Sequence, residues 1–277
     1  MYFADYHSLL PVLFAKLFKK KSALILAGYG VTYIPELNYG SFANPIRGFC
    51  AGYSISNADY LLPVDGSLIT EAKEWVQNIK GEIHIIPYGF DPQKWYCDTP
   101  KEKIVLTVGN FDTLQRIRRK GGDFFIEVAK LLPEYRFVMV GVTDSGRELL
   151  EKIDNVEFIE KVTQDELRKI YSKAKVYAQF SLHEGFPNVV GEAMLCECIP
   201  VGSNANGIPT EIGDCGFILE NRDPAEAAKL ITKAMNSSDN FGKKARERIL
   251  TNFLPEMREQ GFLKVFQSDK KSEVNSK

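Results

Sequence analysis

The chain has 277 residues, of which 44% are hydrophobic and 26% charged, and its formal net charge is −1. This composition suits a globular protein with one or two cores. The near-neutral balance excludes a general nucleic-acid binder, whose surface would be strongly basic.

In chain order, "HSLLPVLFAKLFKKKS" (7–22) is amphipathic and predicts a helix, and "ALILAGYG" (23–30) a buried strand ending in Gly28 and Gly30. "ADYLLPV" (58–64) reads as a second strand, "SLITEAKEWVQNI" (67–79) as a helix, and "GEIHIIPYG" (81–89) as a third strand. These are β/α units, but too few for a complete doubly wound sheet. Pro87–Trp95, "PYGFDPQKW", has the turn chemistry of a linker.

Beyond it the pattern is regular. Strands at "KIVLTVG" (103–109), "YRFVMVG" (135–141), "VEFIE" (156–160), "KVYAQFS" (175–181), "IPVG" (199–202) and "GFILE" (216–220) alternate with helical stretches. The helices are expected at "GDFFIEVAKLL" (122–132), Ser145–Ile153, Gln164–Ser172, Val189–Cys198 and "DPAEAAKLITKAM" (223–235). Such alternation predicts right-handed βαβ units and a parallel sheet covered on both faces. The expected organisation is α/β: an incomplete Rossmann-like domain at 1–92, a doubly wound domain at 93–253, then a crossover helix and frayed tail at 254–277.

The cysteines Cys50, Cys97, Cys196, Cys198 and Cys215 are odd in number and scattered. With no basic secretory n-region at the start and no apolar run near the roughly 20 residues of a spanning helix, a reducing cytoplasm is the expected setting. Cys196-Glu197-Cys198 lacks zinc-site spacing and reads as core packing.

"FSLHEGFPNVVGEAM" (180–194) carries the chemistry. Its loop, His183–Asn188, follows a strand at the carboxyl edge of the sheet, where open α/β sheets bind ligands. Gly185 permits close backbone approach and Pro187 stands at the helix start, so the N–H groups around Asn188–Gly191 suit a phosphate. Glu184 can accept from a sugar, and Glu192, one turn into the helix, from a vicinal diol such as a ribose. Phosphate between two hydroxyl-binding carboxylates describes a nucleotide-sugar. The alternative is acidic residues placed only to favour the helix macrodipole. "RIRRK" (116–120), with Gly121 and Gly122 behind it, is expected to bind phosphate rather than form a solvated loop.

The block "HEGFPNVVGEAMLCECIPVGSNANGIPTEI", with "IPYGFD" (86–91) and "TVGNFDTLQRIRRKGGDFFIEVAKLLPEYRFVMVG", resembles the signatures of the retaining, GT-B-fold glycosyltransferases of the group 1 family. The resemblance covers roughly residues 86–267, and it implies a GT-B-like fold with a donor domain preceded by an acceptor-side domain. Glu184 would contact the donor sugar and Glu192 the ribose. The backbone of Gly185, Phe186, Pro187, Asn188 and Val189 would cradle sugar and phosphate, with Lys120 on the diphosphate.

The implied reaction is metal-independent and needs no cofactor beyond the nucleoside-diphosphate-sugar donor. The acceptor would be a glycan or a lipid-linked glycan, and no nucleophile is assigned. Two departures stand out. Asn110 occupies the place of a usual arginine, so Arg118 or Arg119 is expected to supply the missing charge, Arg119 first as the neighbour of Lys120. Gly28 and Tyr29 stand where the family often has a histidine; His7 is a candidate substitute, and His183 is read as framing the loop. The short amino-terminal part implies a truncated copy, a missing half supplied by a partner chain or dimer, or a reduced acceptor domain, and the competing function is a nucleotide-sugar-binding module that needs a partner for turnover. A phosphorylase would need a pyridoxal-phosphate lysine site that is not identifiable, and epimerases do not share the glutamate block. The basic segment at 9–22, with Lys16, Lys19, Lys20 and Lys21 beside Phe14, Leu17 and Phe18, reads first as an ordinary domain helix with a lysine-rich end, and second as a peripheral contact with the inner face of a membrane.

Overall fold

A computed structural model describes residues 1–274, with side chains through Gln267. The chain divides into two compact units, Met1–Gly89 together with the segment from Pro255 onward, and Phe90–Leu254.

The first unit opens with α1 (Tyr6–Leu17), held by a capping box in which Asp5 and Ser8 satisfy each other's backbone N–H groups. It continues through β1 (Ala23–Leu26), α2 (Pro45–Asn57), β2 (Tyr60–Pro63), α3 (Ser67–Trp75) and β3 (Glu82–Ile83). The strands form a parallel sheet in the order β1-β2-β3.

The second unit holds the larger sheet. In chain order it contains β4 (Glu102–Phe111), α4 (Leu114–Lys120), α5 (Gly122–Lys130), β5 (Arg136–Val142), α6 (Asp144–Leu149), β6 (Val156–Ile159) and α7 (Gln164–Lys173). Then follow β7 (Ala174–Gln179), α8 (Asn188–Leu195), β8 (Ile199–Ser203), α9 (Gly207–Ile212), β9 (Phe217–Leu219), α10 (Pro224–Asn236) and α11 (Asp239–Asn252). The chain ends in α12 (Pro255–Val274), which belongs to the first unit.

All pairings in the larger sheet are parallel, and the strand order is β6-β5-β4-β7-β8-β9. This is the doubly wound arrangement expected from the sequence. The chain winds outward from β4 in one direction and from β7 in the other, so a crevice opens where those two strands meet. The central strands are apolar on both faces because helices cover both: Val105, Phe137, Met139, Val176 and Ala178 are fully buried. Each large side chain buried in this way contributes roughly 1.5–3 kcal/mol of transfer free energy. The register of β4 against β5 shifts between Val108 and Phe111, at the end of the strands nearest the crevice. Gly141 there has φ +92°, and a Cβ on it would lie 1.8 Å from the Gly109 carbonyl oxygen. That bulge turns the strand ends aside.

Several expectations are corrected. The first helix stops at Leu17, before the lysine run, and Lys19 is left-handed at φ +52°. The chain is already committed to β1 there, because Asp59 takes the Ser22 backbone N–H at 2.8 Å and its hydroxyl at 2.9 Å. The third strand is assigned only at Glu82–Ile83, although His84 and Ile86 continue its hydrogen bonds to β2. Arg116–Lys120, for which no helix was expected, is the body of α4, started by the Thr113 hydroxyl and ended by Gly121 at φ +73°. The helix expected over Ser145–Ile153 ends at Leu149, and α2 was not anticipated. The backbone is helical through Val274, where a frayed tail was expected from 268; residues 275–277 lie outside the described part.

Candidate functional site

The crevice beside β4 and β7 gathers the glutamate block and the basic end of α4. Beyond β7 the chain runs through Phe180–Pro187 into α8, whose cap is Pro187 and receives no side-chain hydrogen bond. The Val190 N–H is taken by the Pro187 carbonyl at 3.0 Å, which leaves Asn188 and Val189 to lead the helix. The loop itself is fixed from below. Phe186 is buried, stacked near Phe90 at 6.3 Å and edge-on to Phe253 at 5.2 Å. Gly191 is forced by the same cluster, since a Cβ would meet the Phe90 ring at 2.5 Å.

From behind, α9 supports the loop. The Gly207 N–H donates to the Glu184 carbonyl at 3.2 Å, and a Cβ on Gly207 would come within 2.0 Å of the Gly185 oxygen. Arg248 closes the other end of α9, donating to the Glu211 carbonyl at 2.8 Å and the Thr210 carbonyl at 2.6 Å.

Lys120 is the last residue of α4, where a cation also favours the helix dipole. Its ammonium bonds Glu184 Oε1, and the same oxygen accepts from the Ser181 hydroxyl at 3.1 Å. Arg119 approaches that oxygen at 3.5 Å and the His183 carbonyl at 3.4 Å. All three charged side chains are largely buried, at 12% exposure for Glu184, 15% for Arg119 and 18% for Lys120. Glu184 Oε2 has no partner among the described residues, so one oxygen is held and the other is open.

A cavity of about 290 Å³ lies at the same strand ends, lined by Val108, Gly109, Asn110, Lys120, Gly141, Lys161, Val162 and Val189, among others. Asn110, Lys120 and Val189 were anticipated as lining. Arg119 instead lies against Glu184 and the His183 carbonyl. Lys161, which follows β6, was missed. Its position just past a strand's carboxyl end was the signal available.

Glu192, in the second turn of α8, is mostly buried, and that burial pushes its carboxyl up to about 7 against the pull of Lys94 and a 3.5 Å bond from Tyr171. Glu211 closes the glycine-proline turn of the quoted block but was given no role from sequence. It is fully buried, neither carboxyl oxygen has a hydrogen-bond partner, and burial with Glu192 and Glu184 nearby holds it well above the usual carboxylate range. Cys198 is buried and pushed up to about 11, and Cys196 is raised further; both are neutral thiols. Among the described residues no group of three or more His, Cys, Asp or Glu could hold a metal ion, and no helix is long and apolar enough to cross a membrane.

Residues 102–237 match the family model described as glycosyl transferases group 1. The chain is 25% identical over 227 residues to the N-acetyl-alpha-D-glucosaminyl L-malate synthase of Bacillus anthracis, a match covering 74% of this chain and 58% of that protein. It spans between 16% and 58% of the lengths of the curated relatives it matches. Among solved structures, sucrose-phosphate synthase from Thermosynechococcus elongatus superposes with a TM-score of 0.80 at 20% identity, over 98% of this chain and 73% of that one. Anabaena HepE, solved with UDP and glucose, gives 0.75 at 17% identity, over 94% and 74%. These neighbours show the GT-B fold.

Proposed function

With a group 1 glycosyltransferase domain at residues 102–237 as the premise, we propose that the chain transfers a sugar, with retention, from a nucleoside-diphosphate-sugar to a glycan or lipid-linked acceptor. The observation that carries this reading is the pairing of Lys120 with one oxygen of Glu184, beside the uncapped start of α8 and the cavity.

The diphosphate lies against Lys120 and the first N–H groups of α8. As the bond from the anomeric carbon to the phosphate oxygen breaks, charge builds on that oxygen, and preplaced donors stabilise it with little reorganisation. Glu184 Oε2 accepts from hydroxyls of the sugar. Glu192, when ionised, accepts both hydroxyls of the ribose. The backbone of Gly185–Val189 closes over sugar and phosphate, and Asn110 contributes a neutral contact in the cavity. Arg119 acts by adding positive potential at Glu184. No metal or cofactor is required by these roles.

The setting is cytoplasmic, with peripheral membrane contact through α1. Its Leu10, Leu13, Phe14, Leu17 and Phe18 are exposed, as are Ile46 and Phe49 on α2 in the same unit. Lys19 and Lys20 adjoin them, while Lys16 is engaged by Asn57 and Lys21 lies 4.0 Å from Asp59. Apolar side chains beside lysines suit an anionic lipid surface.

A second reading is a nucleotide-sugar-binding module that turns over only with a partner chain. Release of nucleoside diphosphate from UDP-, GDP- and ADP-sugars, assayed with lipid and glycan acceptors, separates the two. Turnover by the chain alone that is lost in Lys120→Ala supports the enzyme, and donor binding without turnover supports the module. Neither binding nor turnover contradicts both.

A further inference from the structure

Beneath the loop, β7 carries a row of polar groups where a doubly covered central strand should be apolar. Tyr177, Gln179 and Ser181 share one face of the strand and its continuation, and they are 0%, 1% and 1% exposed. Their hydrogen bonds run head to tail. The Tyr177 hydroxyl donates to Gln179 Oε1 at 2.7 Å, Gln179 Nε2 donates to the Ser181 hydroxyl at 2.7 Å, and that hydroxyl donates to Glu184 Oε1 at 3.1 Å. Ser203 steadies the end of the row, donating to the Ser181 carbonyl at 2.6 Å.

Burying three polar side chains in a core is costly unless every one is satisfied. Here each group has its partner, and every donor points the same way, toward one carboxylate. Hydrogen bonds aligned in this way polarise one another, and the last donor of the row sits at Glu184. If the row served only to satisfy itself, it would have no reason to end on Glu184 Oε1, the oxygen that Lys120 also bonds.

We infer that Gln179 and Ser181 are positioning residues for substrate recognition: the Tyr177–Gln179–Ser181 row pins Glu184 Oε1 so that Oε2 faces the hydroxyls of the donor sugar. Lys120 and Arg119 hold the same oxygen from the opposite side, but both are long, flexible side chains. The row is built on a central strand and supplies the rigid reference. This rests on the reading of Glu184 as the sugar contact.

The test compares ligands with and without a sugar, by calorimetric titration of UDP, GDP and ADP against UDP-glucose, GDP-mannose and ADP-glucose. Ser181→Ala and Gln179→Leu should lower affinity for the matched sugar nucleotide roughly tenfold, the scale of a hydrogen bond to a charged group. Affinity for the bare nucleotide should change less than about twofold. In a Glu184→Ala background, Ser181→Ala should have no further effect on the sugar nucleotide. Equal losses for both ligands, or an undiminished Ser181→Ala effect without Glu184, would overturn the assignment. A crystal structure of Ser181→Ala supplies an arm that needs no ligand. The Glu184 carboxylate should leave its position or split between two rotamers, and a single unchanged rotamer refutes the row's role. If the wild-type chain binds none of the probes, the reading of the cavity fails, while the crystal structure still decides the row.

Discussion

Glu192 carries a cost at neutral pH that glutamine would not. Burial in α8 raises its carboxyl from 4.5 to about 7, despite the attraction of Lys94 and the Tyr171 hydroxyl. At about 1.4 kcal/mol per pH unit, ionising it inside the fold costs about 3 kcal/mol relative to the unfolded chain. The sign follows from the direction. A carboxyl raised on folding leaves stability intact below 4.5, erodes it as pH climbs toward 7, and holds the loss constant above.

Glu192→Gln keeps the shape and still accepts from Tyr171, so it should recover about 2–3 kcal/mol at pH 8 and almost nothing at pH 4. In a unit of this size that is a rise of about 5–10 °C in Tm. Trp95, buried against Tyr171 at 5.7 Å, reports unfolding of this unit by fluorescence. Urea titrations at pH 4, 6 and 8, in a Trp75→Phe background, provide the comparison. The same variant should bind nucleoside diphosphate at least tenfold more weakly, because an ionised carboxylate accepts both ribose hydroxyls and an amide oxygen does so poorly. A gain over the unmodified chain no larger at pH 8 than at pH 4 would refute the burial argument. Unchanged nucleotide affinity would refute the ribose assignment.

Three further outcomes are expected. Gly207→Ala places a Cβ 2.0 Å from the Gly185 oxygen, so the loop must shift, and sugar-nucleotide affinity should fall more than about tenfold while the far-UV spectrum is retained. Unchanged calorimetric affinity would show that α9 does not set the loop. Asn110→Arg adds a cation to a cavity that already holds Lys120 and Lys161, and should tighten nucleoside-diphosphate binding by about fivefold or more at low salt, with a steeper salt dependence; a flat salt profile would count against a diphosphate there. Leu17→Glu with Phe18→Glu should abolish co-sedimentation with anionic vesicles, and failure of the unmodified chain to pellet with them would remove membrane contact from the account.

The larger sheet was legible because its strands are short apolar runs between helices of matching period, and buried parallel strands have no other way to be written. The α2 helix was not, although Asn44 and Pro45 carry a cap and a first-turn proline. Its Gly48, Gly52 and Ser54 dilute the apolar periodicity that would have announced it. The lysine run looked helical because composition continued past Leu17, whereas Asp59, distant in sequence, holds Ser22 for the next strand. In the site, Glu184, Glu192 and the Lys120 end of α4 could be named from loop chemistry and resemblance. Their pairing could not, since it depends on α4 and the β7 loop meeting across the crevice. Tyr177, Gln179 and Ser181 did stand at alternate positions of an otherwise apolar strand, a signal only their burial gives meaning. Glu211 was visible only as the acid closing the glycine-proline turn of the glutamate block, and nothing local says that it will be sealed in.

Calorimetric titration of the purified chain with UDP, GDP and ADP decides whether the crevice takes a nucleotide-sugar. One of them should bind saturably, at least tenfold more weakly in Lys120→Ala and in Glu192→Ala, with heat that vanishes in the double variant. Binding of none, or binding indifferent to both substitutions, would contradict a nucleotide-sugar site in this crevice.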